Sequence, residues 1–287
     1  MSVRPFRFGV NMAIGESRAK WQDKARRAES LGYDVLMVPD HLGFPAPFPM
    51  LASAAEATTT ARLGTYVLNS GFYRPALLAR EVATIDLLTD GRFELGLGAG
   101  YVEEEFKAAE LPFVSGGERL KQLKHTVAEV RRMLTGDHQP PAVQRPAPPI
   151  MVAGVGPRML RFAAEQAEIV GIAGALPLDE TDTGHAALAK TMDLVRTAAA
   201  SRETAPELNL LVQGVFPDPS KAELSFQRTL APELSDERIL KLPGMLIGSP
   251  ATIADKLREY RETYGLTYFS VIEFHMDVFA EVIELLR

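Results

Sequence analysis

Short apolar runs recur eight times along this chain of 287 residues, and segments of helical period separate nearly all of them. The runs fall at residues 6–11, 35–38, 63–68, 93–97, 150–153, 169–173, 208–215 and 267–274. A continuous apolar strand followed by a helical crossover belongs to a parallel sheet covered on both faces. Helices are predicted after Ser17 and over 49–58, 75–88, 118–134, 157–166 and 182–200. A further helix opens at Ser249-Pro250, where Ser suits the cap and Pro the first turn, and closes at Gly265; a last one runs to Leu286. Eight such units predict a (β/α)8 TIM barrel with insertion segments, and an open doubly wound sheet is the alternative. No linker divides the chain, so residues 1–287 are expected to form one domain. In a barrel the site lies at the C-terminal ends of the strands.

Composition narrows the chemistry. The chain has no cysteine, which excludes disulfides, thiolate nucleophiles and Cys-ligated metal centres. Three of the five histidines, His125, His138 and His185, are scattered with no metal-ligand spacing, and no metal is expected. A net charge of −6 with both signs interspersed argues against nucleic acid as a partner. No apolar run reaches the ~18 residues of a membrane span, and no secretory leader is visible, so a soluble cytoplasmic protein is expected.

Four strand ends carry candidate site residues. The second ends in Asp40-His41. Histidine does acid and base work near neutrality, and a neighbouring Asp can orient its ring; an Asp-based turn with a structural His is the other reading. The third ends Tyr66-Val67-Leu68-Asn69, polar and small enough for close approach to a planar ring, or simply a loop. The fourth ends Gly96-Leu97-Gly98-Ala99-Gly100-Tyr101. A dinucleotide fingerprint needs Gly where Tyr101 stands, and Glu103, Glu104 and Glu105 follow, so a pyrophosphate loop is disfavoured. A glycine run that passes close to an aromatic cofactor, or a plain tight turn, remains. Ala153-Gly154-Val155-Gly156 leads into a helix opened by Pro157, whose free N–H groups suit a phosphate. Glu273 and His275 follow the last strand, two apart, and either face the substrate or form a solvated rim pair.

In order along the chain, these motifs resemble the bacterial luciferase-like monooxygenase superfamily, and within it the actinobacterial oxidoreductases that use the deazaflavin coenzyme F420. The resemblance rests on Ala28-Glu29-Ser30-Leu31-Gly32-Tyr33, Asp40-His41, Arg74-Pro75-Ala76-Leu77-Leu78-Ala79-Arg80, Leu88-Thr89-Asp90-Gly91-Arg92-Phe93, Gly96 to Gly100 and Ile247-Gly248-Ser249-Pro250. It implies a luciferase-like barrel, a homodimer, and a small-molecule substrate met by a flavin-type ring in the barrel mouth. Asp40 and His41 would lie beside the ring as the catalytic pair, His41 exchanging the substrate proton and Asp40 orienting it. Tyr66 and Val67 would form a bulge with a cis peptide under the ring, with Asn69, Gly98 and Gly100 nearby. Ala153, Gly154, Val155 and Gly156 would hold the cofactor phosphate; Tyr101, Glu273 and His275 are the substrate-facing candidates that their own strand-end positions offer. Flavin mononucleotide (FMN) users share most of these motifs, so a two-component FMN-dependent monooxygenase is the alternative, and a non-catalytic flavin-binding barrel a third reading. In one respect the chain departs from the pattern. Some sugar-phosphate dehydrogenases of the group place a catalytic Glu directly after the glycine loop, where this chain has Tyr101.

Overall fold

The apolar runs pair side by side into a closed parallel barrel. The computed structural model describes residues 4–172 and 184–287. Its strands are β1 (Arg7–Asn11), β2 (Val35–Val38), β3 (Arg62–Thr65), β4 (Leu68–Asn69), β5 (Phe93–Gly98), β6 (Ile150–Gly154), β7 (Ile169–Ile172), β8 (Glu207–Val212), β9 (Gly214–Phe216), β10 (Met245–Ile247) and β11 (Tyr268–Ile272). The sheet order is β3-β2-β1-β11-β8-β7-β6-β5-β4, and β3 also pairs with β5, which closes the ring. β3 and β4 are two halves of one stave, so the barrel has eight staves, all parallel.

The helices are α1 (Arg18–Ser30), α2 (Pro47–Ala55), α3 (Pro75–Leu88), α4 (Glu103–Ala108), α5 (Gly116–Thr135), α6 (Pro157–Gln166), α7 (His185–Ala198), α8 (Ser225–Leu230), α9 (Asp236–Ile239), α10 (Pro250–Tyr264) and α11 (Met276–Leu286). None among the described residues is long and apolar enough to cross a membrane. Ser17, Ser115 and Ser249 cap α1, α5 and α10 through their side chains. α2 starts two residues before the expected Pro49, because Pro47 takes the first-turn position and Pro49 still needs no amide partner there. Residues 182 and 183, expected in α7, and residue 173, expected in β7, lie outside the described residues.

Side chains divide by strand alternation. Phe8, Val10, Leu36, Leu95, Leu97, Phe269 and Val271 point outward and pack under the helices. Val35, Met37, Met151, Ile169 and Tyr268 fill the barrel itself. Its floor is charged. Arg7 reaches Glu94 and Glu207 at 2.5 Å each, and Arg62 reaches Glu94 at 2.5 Å. The Arg7 guanidinium lies 4.5 Å from the centre of the Tyr268 ring. Charges this buried are retained only with partners, and this set closes the end opposite the strand C-termini.

The expected strand over 208–215 is two elements. β8 stays in the barrel; Gln213 then breaks the ladder, its amide donating to Gly244 O at 2.8 Å. β9 turns away and pairs in parallel with β10, which had read as irregular. The last strand stops at Ile272, and residues 273–275 form a 3-10 turn.

Candidate functional site

The glycines of β5 make room for a bulge in the neighbouring stave. The β3–β5 register pairs Leu63 with Phe93 and Gly64 with Glu94, whereas β4–β5 pairs Leu68 with Leu97 and Asn69 with Gly98. The offset changes by one, so one extra residue sits between the halves. The Tyr66–Val67 peptide in that bulge is cis, as the resemblance implies. Thr65 bridges the break: its hydroxyl accepts from Gly96 N at 2.8 Å and donates to Gly96 O at 2.9 Å. A Cβ on Gly96 would lie 2.0 Å from Thr65 O, one on Gly98 2.8 Å from Val67 Cγ2, and one on Gly100 2.3 Å from Asn69 Oδ1. Gly100 also has φ +71°, which L side chains rarely adopt. Every second residue of this run is thus glycine because the bulged chain occupies the space of a side chain.

Below the bulge, Tyr66 Oη donates to Asn209 Oδ1 at 2.9 Å, and Asn209 Nδ2 donates to Ser270 Oγ at 2.6 Å. Burial raises the Tyr66 phenol above its ordinary value and keeps it a neutral donor. Above this network, among the described residues, two buried polar atoms have no partner at the strand C-termini: Asn11 Oδ1, at the end of β1, and Ser70 Oγ, just after β4. Buried polar atoms are normally satisfied, so such atoms in a barrel mouth suit a ligand.

The structure brings Asp40, His41, Asn69, Gly98, Gly100 and Tyr101 together, and it changes the partner assigned to His41. His41 Nδ1 lies 2.7 Å from Glu105 Oε1, in the first turn of α4. Glu105, not Asp40, orients the ring. A carboxylate accepts only, so Nδ1 carries the proton and Nε2 is left to take or give one. Asp40 has other duties. Its Oδ2 accepts from Asn69 N at 2.9 Å, and the Tyr73 hydroxyl also bonds to it. The acidic run, which the sequence reading treats only as repulsive to a pyrophosphate, therefore supplies the carboxylate that orients His41. Its helix position was the absent clue: Phe106, next to Glu105, is buried against Phe72 and Phe113 with ring centres 5.4 and 5.3 Å away, and this packing fixes α4 over the mouth.

Burial raises the Asp40 carboxyl above its ordinary value, against the lowering pull of the Asn69 amide, the Tyr73 hydroxyl and His41. Folding thus favours its proton. The stability from this source is complete below the ordinary carboxylate range and is lost as pH rises through the elevated value. Asp40→Asn, which cannot ionise, should therefore be more stable than the parent at neutral pH and lose that advantage near about pH 3. Urea denaturation at the two pH values checks it.

At the next strand end, Ala153 and Gly154 close β6, and Val155 and Gly156 lead into α6. Among the described residues no side chain caps α6, so its first-turn amides lack a side-chain partner, and a Cβ on Gly156 would meet nothing within 4 Å. Tyr101 is 68% exposed and stands edge-on to His41 at 5.8 Å. Glu273 is corrected. Its Oε1 accepts from Ala13 N and Ile14 N at 2.8 Å each, and its Oε2 from Lys24. With both oxygens engaged it pins the β1–α1 loop and is not free to meet a substrate. His275 stands edge-on to Phe216 of β9 at 5.1 Å, and burial lowers its affinity for a proton.

Comparisons with known proteins place this geometry. The family model described as luciferase-like monooxygenase matches residues 3–221. An F420-dependent glucose-6-phosphate dehydrogenase of Intrasporangium calvum is 35% identical over 170 residues, 51% of this chain and 51% of that one. The chain thus spans about half the length of that dehydrogenase. The oxygenase component of a flavin-dependent trigonelline monooxygenase from Acinetobacter baylyi is 27% identical over 270 residues, 79% of this chain and 73% of that one. Among solved structures, the coenzyme F420-dependent tetrahydromethanopterin reductase from Methanopyrus kandleri superposes with a TM-score of 0.80 at 18% identity, covering 99% of this chain and 100% of that one, which is a likeness of fold. With a closed eight-stave barrel and three quarters of its sequence under one family model, the chain belongs to the luciferase-like monooxygenase family.

Proposed function

We propose that this protein is a coenzyme F420-dependent oxidoreductase acting on a small organic substrate. The observation that carries the reading is the His41–Glu105 pair at the mouth, which leaves one imidazole nitrogen free for proton exchange. The residues fit a ring-and-phosphate cofactor. The Tyr66–Val67 bulge offers a flat backbone surface, Asn11 Oδ1 and Ser70 Oγ lack partners, and the first turn of α6 is uncapped. In this reading Asp40, His41, Asn69, Gly98 and Gly100 lie beside the ring, and Ala153 to Gly156 hold the phosphate.

When bound, the deazaflavin supplies the hydride donor or acceptor. The chain's own part is acid–base chemistry and positioning. Glu105 fixes the His41 tautomer and stabilises the charge that the ring gains when Nε2 takes a proton. Asp40 ties the end of β4 to the end of β2 through the Asn69 amide, and so holds the bulge in register with His41. The buried Tyr66–Asn209–Ser270 chain keeps the bulge from sinking into the barrel.

A second reading has support from the 27% identity to a monooxygenase oxygenase component across most of the chain. In it the cofactor is FMN, reduced by a partner reductase. Titration of the purified protein with F420 and with FMN, followed by fluorescence, separates the two. F420 is expected to bind at least about tenfold more tightly, a difference of ~1.4 kcal/mol. Tighter FMN binding selects the monooxygenase, and binding of neither removes both.

A further inference from the structure

Six of the eleven large apolar side chains that stand exposed among the described residues lie at one end of the barrel. They are Ile14, Leu42, Phe44, Tyr101, Val155 and Phe274, and they follow β1, β2, β5, β6 and β11. Because those strands are parallel, all six stand on the loops at the C-terminal face. Single exposed apolar residues are ordinary; their gathering from five separate strand ends onto the functional face is not. Phe274 is 75% exposed and Val155 72%.

The arrangement tightens around His41. The Phe44 and Tyr101 rings both stand edge-on to the imidazole, at 6.1 and 5.8 Å. The third group against the ring is the Glu105 carboxylate. Of the cations near the loop ends, Arg74 and Arg158 stand at the starts of α3 and α6, beyond other strands than those that carry Phe44 and Tyr101, and two more are already used. Lys24 is held by Glu273 and Ile14 O, and Arg119 by Gly100 O and Val114 O. Beside Tyr101, α4 opens with Glu103, Glu104 and Glu105 in its first turn. Lys107 pairs with Glu103 at 2.9 Å, but Glu104 and Glu105 keep this side of the mouth acidic, so a phosphorylated or carboxylated substrate would meet repulsion there, whereas an apolar body gains by covering the apolar side chains.

We propose that the mouth selects an uncharged substrate with an apolar, ring-shaped body and a hydroxyl or carbonyl oxygen, with Phe44 and Tyr101 as the specificity residues that guide that oxygen to His41 Nε2. The assignment rests on the reading of His41 as the proton-exchanging group. It excludes sugar phosphates, the substrate class in the name of the Intrasporangium relative.

The test measures binding to the full chain by calorimetry, with acetophenone and glucose 6-phosphate as probes, in the absence and presence of F420. Acetophenone is expected to bind in at least one of these states, and glucose 6-phosphate at least about tenfold more weakly. Phe44→Ser and Tyr101→Ser should each weaken acetophenone about tenfold, the loss of one aromatic contact, with the circular dichroism spectrum and the F420 affinity unchanged. Tighter binding of glucose 6-phosphate overturns the proposal. So does acetophenone binding that is absent from both states or indifferent to both substitutions. Sedimentation of the same variants adds a further check: if they dissociate an oligomer, the rim is a contact between copies and the proposal fails. Because the probe is read without turnover, failure of the rim is distinct from failure of the cofactor titration.

Discussion

His41→Ala is expected to lower turnover by about 10²–10⁴-fold, the range for loss of a positioned acid or base, while the cofactor still binds within a few-fold of the parent. The structure makes the test sharper through Glu105. This carboxylate meets the imidazole at 2.7 Å and is a positioning group that acts through it. Glu105→Gln should therefore lower kcat by about tenfold or more in an otherwise unaltered chain and do little in the His41→Ala background, because groups that act as a unit are not additive. A Glu105 effect that persists in full without His41 would mean that the carboxylate meets the substrate itself. The split between kcat and KM gives the same information from another side: a positioning role moves kcat and leaves KM close to the parent value.

Gly96→Ala is expected to be the most damaging methyl group that can be added to this barrel. The new Cβ would sit 2.0 Å from Thr65 O and 3.0 Å from Val67 Cγ1, and the first contact is backbone, which cannot rotate away. Overpacking of this kind costs about 3 kcal/mol or more, which in a chain of this size lowers Tm by roughly 6–12 °C. Gly116→Ala is the matched control. It adds the same atom in the first turn of α5, where the nearest neighbour is the far end of Arg119 at 3.8 Å, and should leave Tm unchanged or slightly higher. Differential scanning calorimetry of the two variants tests the claim. Equal Tm values would mean that the bulge can move aside and that the glycine run has some other purpose.

The barrel was legible because its information is local. Apolar strands and helical crossovers repeat along the chain, and parallel pairing follows from their order. The bulge was not legible from composition. Residues 63–68 read as one continuous strand, and the extra residue appears only as a change of register against β5; the cis bond within it was reached through likeness alone. β9 and β10 escaped because three-residue strands carry no period, and the break at Gln213 depends on a carbonyl thirty-one residues away, at Gly244. The site divides along the same line. Asp40 and His41 are neighbours in sequence at a strand end, so their placement could be read. Glu105 lies 64 residues from His41 and reaches it only after β2, β3 and β5 have closed side by side. Glu273 misled for the opposite reason: a carboxylate at a strand end looks chemical until its two oxygens are traced to the Ala13 and Ile14 amides and to Lys24.

α4 shows a division of labour that reaches beyond one residue pair. The imidazole is delivered by a barrel strand, but the carboxylate that steers it arrives on a six-residue helix inserted after β5 and anchored by Phe106 rather than by the sheet. Closure of the barrel and tuning of its proton chemistry thus rest on separate parts of the chain. Changing the segment between β5 and α5 would reset the acid–base behaviour of the mouth and leave the staves, the ladders and the charged floor without a changed residue.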